Sequence, residues 1–456
     1  MPEPRSDALV LFGATGDLAY KQIFPALYAM TRRGQLDIPV IGFARQAWTL
    51  DELRDQVRRS VEEKVTVDHD VLDRLAARLS YVVGDYQDPE SFVKLRTALG
   101  GSERPLFYLA IPPAMFGPVV EGLAKSGCAK GARVVVEKPF GRDLASASEL
   151  NSVIRQFVPE EAIFRIDHFL GKEAVQNLLY FRFANAFLQP IWNRDYIDRI
   201  EITMAESFDV KSRGKFYEET GVVRDVVQNH LLQILSLITM ETPASNTAEA
   251  IDAAKTAVFA ATRPLGADDV VLGQYRGYRS AAGVAPNSKV ATYVAARLHI
   301  DNTRWSGVPI LIRTGKCLGA TVTAVRIRLR SQEHALFEPG VAAHNEFRFQ
   351  LSPEVVLGLM ARAKTPGEEM VGEDVSLVEV RHAVDEQAPY ERLLGDALEG
   401  DHTLFGSFED VLAAWRIVEP ILKLDDPVHE YDCGSWGPEQ ATRLDAAAIE
   451  PTSTSF

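Results

Sequence analysis

The first third of the chain alternates short apolar runs with segments of helical periodicity. Glycine, proline or charged residues bound the runs, and apolar residues recur at helical spacing between them. This alternation predicts an α/β fold built on a parallel, doubly wound sheet. The predicted strands cover residues 8–12, 38–44, 81–84, 106–110 and 133–136. Two predicted helices follow the first and fourth strands and end near residues 30 and 125. The other predicted helices cover residues 50–63, 71–79, 89–99, 145–157 and 172–183.

From Arg199 onward the pattern changes to an alternation of apolar and polar residues, which is typical of half-buried strands. The strands predicted in this part cover residues 200–206, 291–300, 308–313, 322–329 and 347–351. Together they predict a largely antiparallel sheet, and therefore an α+β region after the α/β region. A turn is predicted over residues 212–217, and helices over 248–261 and 404–422.

The composition is that of a globular protein, and 456 residues are enough for two or more domains. A net charge of -14 argues against nucleic acid as a partner, which would need a clustered basic excess. The three cysteines have neither a metal-ligand spacing nor a disulfide framework, which predicts no metal site and a reducing compartment. Without a signal peptide or an apolar stretch of membrane-spanning length, we expect a cytoplasmic protein with no membrane partner.

A glycine-containing turn, Gly13–Ala19, joins the first predicted strand to the first predicted helix. In this context Gly13 and Gly16 allow backbone N–H groups to approach a pyrophosphate at the positive end of the helix dipole. The spacing GxxGxxA departs from the usual GxGxxG. A dinucleotide site and a tight turn without a ligand therefore both fit this segment.

The second predicted strand ends in Arg45 and Gln46. A fold specific for NAD usually carries a carboxylate here, which holds the ribose 2′-hydroxyl. An arginine suits a 2′-phosphate instead, so we predict NADP as the cofactor and keep NAD as the weaker alternative. The alternative is that Arg45 binds no ligand and is a solvated arginine at the end of a strand.

Two later segments gather charges that suit an anionic substrate. Lys138 follows a predicted strand and could reach both cofactor and substrate at the carboxyl edge of the sheet. Residues 165–173 hold Asp167, His168 and Lys172, which could supply an orienting carboxylate, a donor and a positive charge. Without a ligand, Lys138 would be a surface lysine paired with its neighbour Glu137, and residues 165–173 would be an ordinary surface loop before a helix.

His230 lies within an apolar stripe at helical spacing, formed by Val223, Val227, Ile234 and Leu237. A histidine there is often a core residue, yet a buried neutral imidazole also suits a general base. Asp167 is the candidate carboxylate that would orient it. Asp225 lies five positions earlier and does not share its face in a regular α-helix, so we interpret it as a substrate-hydroxyl acceptor. Lys316, after another predicted strand, is a further charge for a ligand.

Several longer segments occur together and in a fixed order between about residues 8 and 437. They are GATGDLA, PALY, FYLAIPP, EKPFGRDL, RIDHFLGKE, RGKFYEETG, RDVVQNHLLQ, GQYRGYR, LHIDNTRWSGVPILIRTGK and YDCGSWGP. With these segments the chain resembles the glucose-6-phosphate dehydrogenase family over nearly its whole length.

The resemblance implies a Rossmann-type NADP-binding domain over residues 1–168. It implies a larger substrate-binding and dimerisation domain of β+α type over 169–456, whose extended sheet forms a homodimer or a dimer of dimers. The implied reaction is oxidation of glucose 6-phosphate at C1 to the lactone with reduction of NADP, the first step of the oxidative pentose phosphate pathway.

The matching positions imply a role for each candidate residue. His230 would be the general base, and Asp167 would orient it. The residues that would hold the sugar phosphate are His168 and Lys172 at the phosphate, and Lys138, Glu206, Asp225 and Lys316 at the sugar. The residues that would contact the cofactor are Gly13, Thr15, Gly16, Asp17, Leu18, Lys138 and, at the 2′-phosphate, Arg45.

Two departures from the family pattern change the expectations. Phe169 replaces a usual tyrosine, which removes a hydrogen-bond donor and predicts a higher KM for the sugar phosphate. The residues after Lys316 lack the basic side chains through which some members bind a second, structural NADP, so we expect none here. These departures leave two alternatives: a dehydrogenase of another sugar or sugar phosphate, and a catalytically idle NADP-binding paralogue. Four retained residues argue against the idle paralogue: Asp167, His168, Lys172 and His230.

Overall fold

The computed structural model describes residues 4–210, 213–331, 337, 345–381, 387–424 and 427–444. The chain forms two compact units, each built from three segments. The first unit consists of residues 1–173, 245–252 and 386–412, and the second consists of 174–244, 253–385 and 413–456. The domain boundary that the sequence predicts after residue 168 stays a prediction.

The sheet of the first unit is parallel throughout its described strands. These are β1 (Ala8–Phe12), β2 (Val40–Ala44), β3 (Leu79–Val83), β4 (Pro105–Leu109), β5 (Arg133–Glu137) and β6 (Ile163–Ile166). Their order is β3-β2-β1-β4-β5-β6, which confirms the doubly wound parallel sheet. Every residue of β1 is buried, which explains why the sequence shows a continuous apolar run rather than an alternation.

The helices follow in chain order through both units. They are α1 (Phe24–Arg32), α2 (Leu50–Glu62), α3 (His69–Arg78), α4 (Pro89–Leu99), α5 (Phe116–Lys125), α6 (Leu144–Arg155), α7 (Glu173–Ala184), α8 (Gly214–Val222), α9 (Leu232–Thr239), α10 (Ala248–Ala261), α11 (Pro389–Glu399) and α12 (Phe408–Leu422). Two π-helical segments, Ala19–Ile23 and Val223–Leu231, precede α1 and α9. No helix among the described residues has the length and apolar character needed to cross a membrane.

The core of the first unit is shared by α1 and α11. Leu27 from α1 and Leu394 from α11 are both fully buried, in one cluster with Leu9 and Leu106 of the sheet. Pro389 occupies the first turn of α11, where its missing N–H costs no hydrogen bond. Helix α11 therefore contributes buried side chains to the core of the first unit, although it lies more than 200 residues after the last strand of that sheet.

The sheet of the second unit is larger and mainly antiparallel. Its described strands are β7 (Ile197–Ala205), β8 (Val270–Tyr275), β9 (Tyr293–Leu298), β10 (Ile310–Gly315), β11 (Val322–Leu329), β12 (Glu346–Ser352), β13 (Val355–Lys364), β14 (Gly372–Arg381) and β15 (His429–Tyr431). Their order is β14-β13-β12-β11-β7-β10-β9-β8-β15. The pairs β7–β10 and β8–β15 are parallel and the others are antiparallel, which confirms the predicted extended sheet.

Some elements differ from the sequence-based expectation. The turn predicted over residues 212–217 is wrong, because Gly214 already begins α8; Ser212 lies outside the described residues. The sequence analysis predicts no counterpart for helix α11 or for strands β6, β8, β13, β14 and β15. In β14 most side chains are exposed, so burial imposes no apolar pattern on its sequence.

Candidate active site

Gly13 lies where the carboxyl ends of three strands of the first sheet meet. Its φ is +78°, and its N–H donates to the carbonyl of Phe43 at 2.9 Å. A Cβ at this position would lie 2.2 Å from the carbonyl oxygen of Ala110, so any side chain here would collide with backbone. The Gly16 N–H then closes the turn by donating to the Gly13 carbonyl at 2.9 Å. A turn that excludes side chains in this way fits the close approach of a dinucleotide pyrophosphate.

Around this turn the structure places the other predicted cofactor residues. The hydroxyl of Thr15 donates to the side-chain oxygen of Gln46 at 2.6 Å. Arg45 is exposed directly after β2. Asp17 pairs with Lys21 at 2.8 Å on the surface, and Leu18 stands immediately before the π-helical segment that begins at Ala19. All of these residues lie within the first unit.

Tyr86 is a neighbour of this turn that the sequence did not single out. Its side chain is buried, and burial raises the pKa of its hydroxyl. A hydrogen bond to the Gly13 backbone and the charge of Arg45 act in the opposite direction on that pKa. Tyr86 therefore connects the glycine turn to the arginine that is predicted to bind the 2′-phosphate.

Glu137 ends strand β5 and is buried, directly before Lys138. Burial raises the pKa of its carboxyl group to about 7, while hydrogen bonds from Tyr108 and Tyr390 and the charge of Lys138 oppose that rise. Lys138 is half-buried, and its peptide bond to Pro139 is cis. A buried carboxylate thus fixes the end of the strand from which Lys138 extends.

The loop after β6 is ordered by its own side chains. The Asp167 carboxylate accepts the N–H of Phe169 at 2.9 Å, and the Lys172 N–H donates to the Phe169 carbonyl at 3.1 Å. The Lys172 ammonium lies 3.8 Å from the centre of the Phe169 ring, a cation–π contact. Phe169 therefore positions the charge that is predicted to bind phosphate, although it lacks the family's hydroxyl.

Tyr390 of α11 links this loop to strand β5 within the first unit. Its ring lies nearly parallel to the His168 ring, with 6.2 Å between the centres and 6° between the planes. The Tyr390 hydroxyl also hydrogen-bonds to Glu137. One side chain thus supports both His168 and the end of the strand that carries Lys138.

In the second unit, His230 is buried on a π-helix rather than on a regular α-helix. Hydrogen bonds in a π-helix run from residue i to residue i+5, so residues five apart lie close to one turn apart. Asp225 and His230 are separated by five positions. The expectation that they do not share a face was made for a regular α-helix, and this segment is π-helical instead. π-Helical hydrogen bonding within a helix is frequent at functional sites.

Gly221 sets the direction of this helix. Its φ of +64° and ψ of 170° interrupt α8, and the chain enters a new helical segment at Val222. The Val222 N–H donates to the carbonyl of Ala291 at 3.1 Å, which attaches this start to the segment just before β9. Asp225 consequently lies in the first turn, where the positive end of the helix dipole favours negative charge.

Glu206 and Lys316 follow the neighbouring parallel strands β7 and β10 and form an ion pair. The Lys316 ammonium lies 5.1 Å from the centre of the Phe208 ring and 5.6 Å from that of Tyr217. Burial raises the pKa of Tyr217 well above its usual value, and the charges of Asp225 and Glu206 raise it further. The second unit therefore brings Glu206, Asp225 and Lys316 together around a buried tyrosine.

The predicted site residues thus form one group in each unit. Lys138, Asp167, His168 and Lys172 belong to the first, whereas Glu206, Asp225, His230 and Lys316 belong to the second. The predicted pair of Asp167 and His230 joins residues of different units and stays a prediction. The residues that the sequence did not reveal are Tyr86, Tyr108, Glu137, Tyr217 and Tyr390. Only Glu137 carried a signal, a carboxylate at the end of an apolar strand.

The parallel sheet with its glycine turn is the fold of a dinucleotide-binding protein, the class to which nicotinamide-dependent oxidoreductases belong. Two family models cover the chain. "Glucose-6-phosphate dehydrogenase, NAD binding domain" matches residues 10–177, and "Glucose-6-phosphate dehydrogenase, C-terminal domain" matches residues 179–449. The chain belongs to the glucose-6-phosphate dehydrogenase family.

Similar proteins occur in bacteria and plants. Glucose-6-phosphate 1-dehydrogenase 1 of Mycobacterium tuberculosis is 47% identical over 444 residues, which is 96% of this chain and 94% of the relative. The cytoplasmic glucose-6-phosphate 1-dehydrogenase 6 of Arabidopsis thaliana is 37% identical over 97% of this chain and 92% of its own length.

Solved structures agree in fold over nearly the whole chain. The glucose-6-phosphate 1-dehydrogenase of Mycobacterium avium superposes with a TM-score of 0.91 at 46% identity, covering 96% of both chains. A glucose-6-phosphate dehydrogenase in complex with its substrate glucose 6-phosphate has a TM-score of 0.90 at 33% identity, covering 97% of this chain and 98% of that one.

Proposed function

We propose that the protein oxidises glucose 6-phosphate at C1 to the 6-phosphogluconolactone and reduces NADP. The observation that carries this proposal is the π-helix, which presents buried His230 one turn from Asp225. Asp225 faces the same buried tyrosine as Glu206. An imidazole beside carboxylates and an ammonium suits a polyhydroxylated substrate from which a proton must be removed. The relative solved with glucose 6-phosphate shares this fold.

His230 acts as the general base that takes the proton of the C1 hydroxyl. The bound nicotinamide supplies the acceptor for the hydride from C1. Asp167 orients the imidazole and stabilises its charged form after the proton transfer. Glu206 and Asp225 accept hydrogen bonds from sugar hydroxyls, and Lys316 donates to them. These roles require that the protein hold the reacting groups in the correct geometry, which lowers the entropic part of the activation barrier.

His168 and Lys172 hold the phosphate of the substrate. The Phe169 ring beneath the Lys172 ammonium limits its freedom, so less side-chain entropy is lost on binding. The stacked Tyr390 ring similarly limits the orientation of His168. Both phosphate-binding side chains are therefore positioned before the substrate arrives.

NADP is the cofactor that the first unit fits. The backbone of the glycine turn binds the pyrophosphate, with Thr15, Asp17 and Leu18 around it. Arg45 is exposed and charged where the 2′-phosphate of NADP would lie. Lys138 extends from the carboxyl edge of the sheet towards both ligands. A single NADP per chain, without a second structural one, stays a prediction.

The protein forms a homodimer, or a dimer of such dimers, through the sheet of the second unit. Leu377 of β14 is a large apolar side chain that is 63% exposed. Covering it with a second copy removes this apolar surface from water. We also propose a cytoplasmic location, which the spacing of the three cysteines supports.

Reduction of the nicotinamide by purified protein tests the proposal. Glucose 6-phosphate is compared with free glucose and other sugar phosphates, and NADP with NAD. Rapid reduction with glucose 6-phosphate and NADP is expected, and Arg45→Ala should raise KM for NADP while leaving KM for NAD unchanged. Activity confined to another sugar would assign a different substrate, and a folded protein without activity would make it an idle paralogue.

A further inference from the structure

Cys317 and Cys433 lie side by side in the second unit, although they are far apart in sequence. Cys317 follows Lys316 at the end of β10, and Cys433 comes shortly after β15. The Cys433 thiol is a near neighbour of the Cys317 thiol and acts on its pKa. The N–H of Gly434 also donates to the Cys317 carbonyl at 2.8 Å. Because this bond joins one cysteine to the residue next to the other, the backbones are close enough for a disulfide, which needs Cα atoms about 4–7 Å apart.

The two sulfur atoms differ in their access to solvent. Cys433 is exposed, whereas Cys317 is only 5% exposed behind it. The Cys317 backbone is held on both sides, since its N–H donates to the Phe208 carbonyl at 3.1 Å and its carbonyl accepts from Gly434. Its φ of +52° is rarely adopted by a residue with a side chain. The turn thus directs a buried thiol at a thiol that solutes can reach.

We propose that Cys317 and Cys433 are an oxidation site that forms a reversible disulfide with hydrogen peroxide. The sulfur of Cys433, as the thiolate, attacks one peroxide oxygen and becomes a sulfenic acid, with water released. The sulfur of Cys317 then loses its proton and attacks the Cys433 sulfur, and the sulfenic oxygen leaves as a second water. Two thiols and one hydrogen peroxide give one disulfide and two waters, so the cysteines are oxidised and the peroxide is reduced.

Attack by the Cys317 thiol is the slow step of this reaction. Burial and, secondly, the neighbouring Cys433 together raise the pKa of its thiol to about 12. The other titratable groups that face it are Asp209, Lys316, Tyr275 and Tyr431. The thiolate is the reactive form, so closure of the disulfide should accelerate as the pH rises. The sulfenic acid on Cys433 should consequently persist longer at acidic pH.

The disulfide would act on Lys316, the residue before Cys317. The Lys316 N–H donates to the Thr292 carbonyl at 3.0 Å, and its carbonyl accepts the Tyr431 hydroxyl at 2.6 Å. Its ammonium pairs with Glu206. A covalent bond that draws Cys317 towards Cys433 shifts this strained turn and with it the ammonium. This consequence rests on the proposed function, in which Lys316 contacts the sugar, and it should raise KM for glucose 6-phosphate severalfold.

Mass spectrometry of the full-length protein tests the oxidation site without reference to activity. Reduced protein is treated with hydrogen peroxide, its remaining thiols are alkylated, and the digest is searched for a linked peptide pair. The Cys317–Cys433 pair should appear in the wild type and in Cys128→Ser, disappear after dithiothreitol, and be absent from Cys433→Ser. Cys128 is the matched control because it is buried in the other unit.

Two outcomes would overturn the oxidation site. One is Cys433 oxidised to sulfinic or sulfonic acid while Cys317 remains alkylatable in unfolded protein. The other is a Cys433 disulfide between two protein molecules. In parallel, KM for glucose 6-phosphate is measured before oxidation, after it and after re-reduction. An unchanged KM with the linked pair present would refute the effect on Lys316. Absence of any dehydrogenase activity would refute the proposed function, and the mass spectra would still decide the disulfide.

Discussion

At the scale of single residues, Glu137 combines a titratable carboxyl group with an environment that disfavours its charge. Its folded-state pKa is about 7, raised from 4.5 chiefly by burial. Folding is therefore favoured when the carboxyl is protonated. The associated stability is fully present below the unfolded pKa and is lost as the pH rises through about 7. Tyr108 and Tyr390 limit this loss, because their hydroxyls donate to the ionised form.

Glu137→Gln should remove this part of the pH dependence. A pKa shift of this size corresponds to at most about 3 kcal/mol. Between about pH 5 and pH 8 the free energy of unfolding of the wild type should therefore fall, relative to that of the variant, by up to this amount. Urea unfolding across that range measures the difference, with Glu62→Gln on the exposed surface of α2 as the control. Parallel pH curves for the wild type and Glu137→Gln would contradict the assignment.

Phe169→Tyr should lower KM for glucose 6-phosphate and leave kcat unchanged. The added hydroxyl supplies a hydrogen bond to a charged phosphate, which contributes about 1.5–3 kcal/mol, or roughly tenfold or more in affinity. The ring that supports the Lys172 ammonium is retained. Steady-state kinetics with Phe169→Leu as a comparison separates the two contributions, because leucine removes the ring and should raise KM. If tyrosine leaves KM at its original value, its hydroxyl does not reach the phosphate.

At the scale of secondary structure, the segment from Gly221 to Leu231 depends on two departures from a regular helix. Gly221 adopts a positive φ that ends one helix and begins another, and the π-helical hydrogen bonds then bring Asp225 towards the face of His230. Neither feature alone would place both side chains. The geometry proposed for catalysis in the second unit therefore depends on the backbone of this segment as much as on its side chains.

Gly221→Ala should destabilise the protein by about 1–2 kcal/mol, because an L-residue is strained at positive φ. It should also reduce kcat by redirecting the start of the π-helix. Gly395→Ala is the matched control. Gly395 lies within α11, where a Cβ would meet no atom within 4 Å, so alanine should stabilise by about 0.5–1 kcal/mol. Thermal unfolding and kinetics of both variants measure these effects; equal changes would refute the role of the positive φ.

The elements differ in how far the sequence predicts them. β1 and β5 are buried throughout, so their apolar runs are diagnostic. β14 is mostly exposed and shows no such run. The π-helix is hidden because a periodicity analysis assumes α-helical spacing. The role of Tyr390 is equally hidden, since its contact with Glu137 joins distant parts of the chain. The candidate residues could be found from motifs, whereas their supporting partners required the fold.

At the scale of the whole molecule, the exposed apolar side chains of β14 determine the predicted assembly. Leu377→Lys should shift a dimer towards monomer, because burying an unpaired charge in an interface costs several kcal/mol and weakens association by at least about tenfold. Sedimentation velocity over a range of concentrations measures the change. Val93→Lys is the control, since Val93 is 52% exposed in the first unit and should leave association unaltered.

Circular dichroism of both lysine variants should match that of the wild type, because each position is already exposed to water. A Leu377→Lys protein with unaltered association would place the interface elsewhere. A wild-type protein that stays monomeric at every concentration would leave β14 without a homotypic partner and would refute the proposed dimer.

The late arrival of α11 has a consequence for synthesis on the ribosome. The first unit begins with the N-terminus, yet its core is completed by Leu393, Leu394, Ala397 and Leu398, all fully buried. At about 5–20 residues per second, translation needs tens of seconds to reach them after the sheet has emerged. During that interval the part of α1 that α11 covers stays exposed to water, although α2 and α3 already pack against the rest of the helix. A premature stop codon anywhere before α11 would abolish both units rather than the second alone.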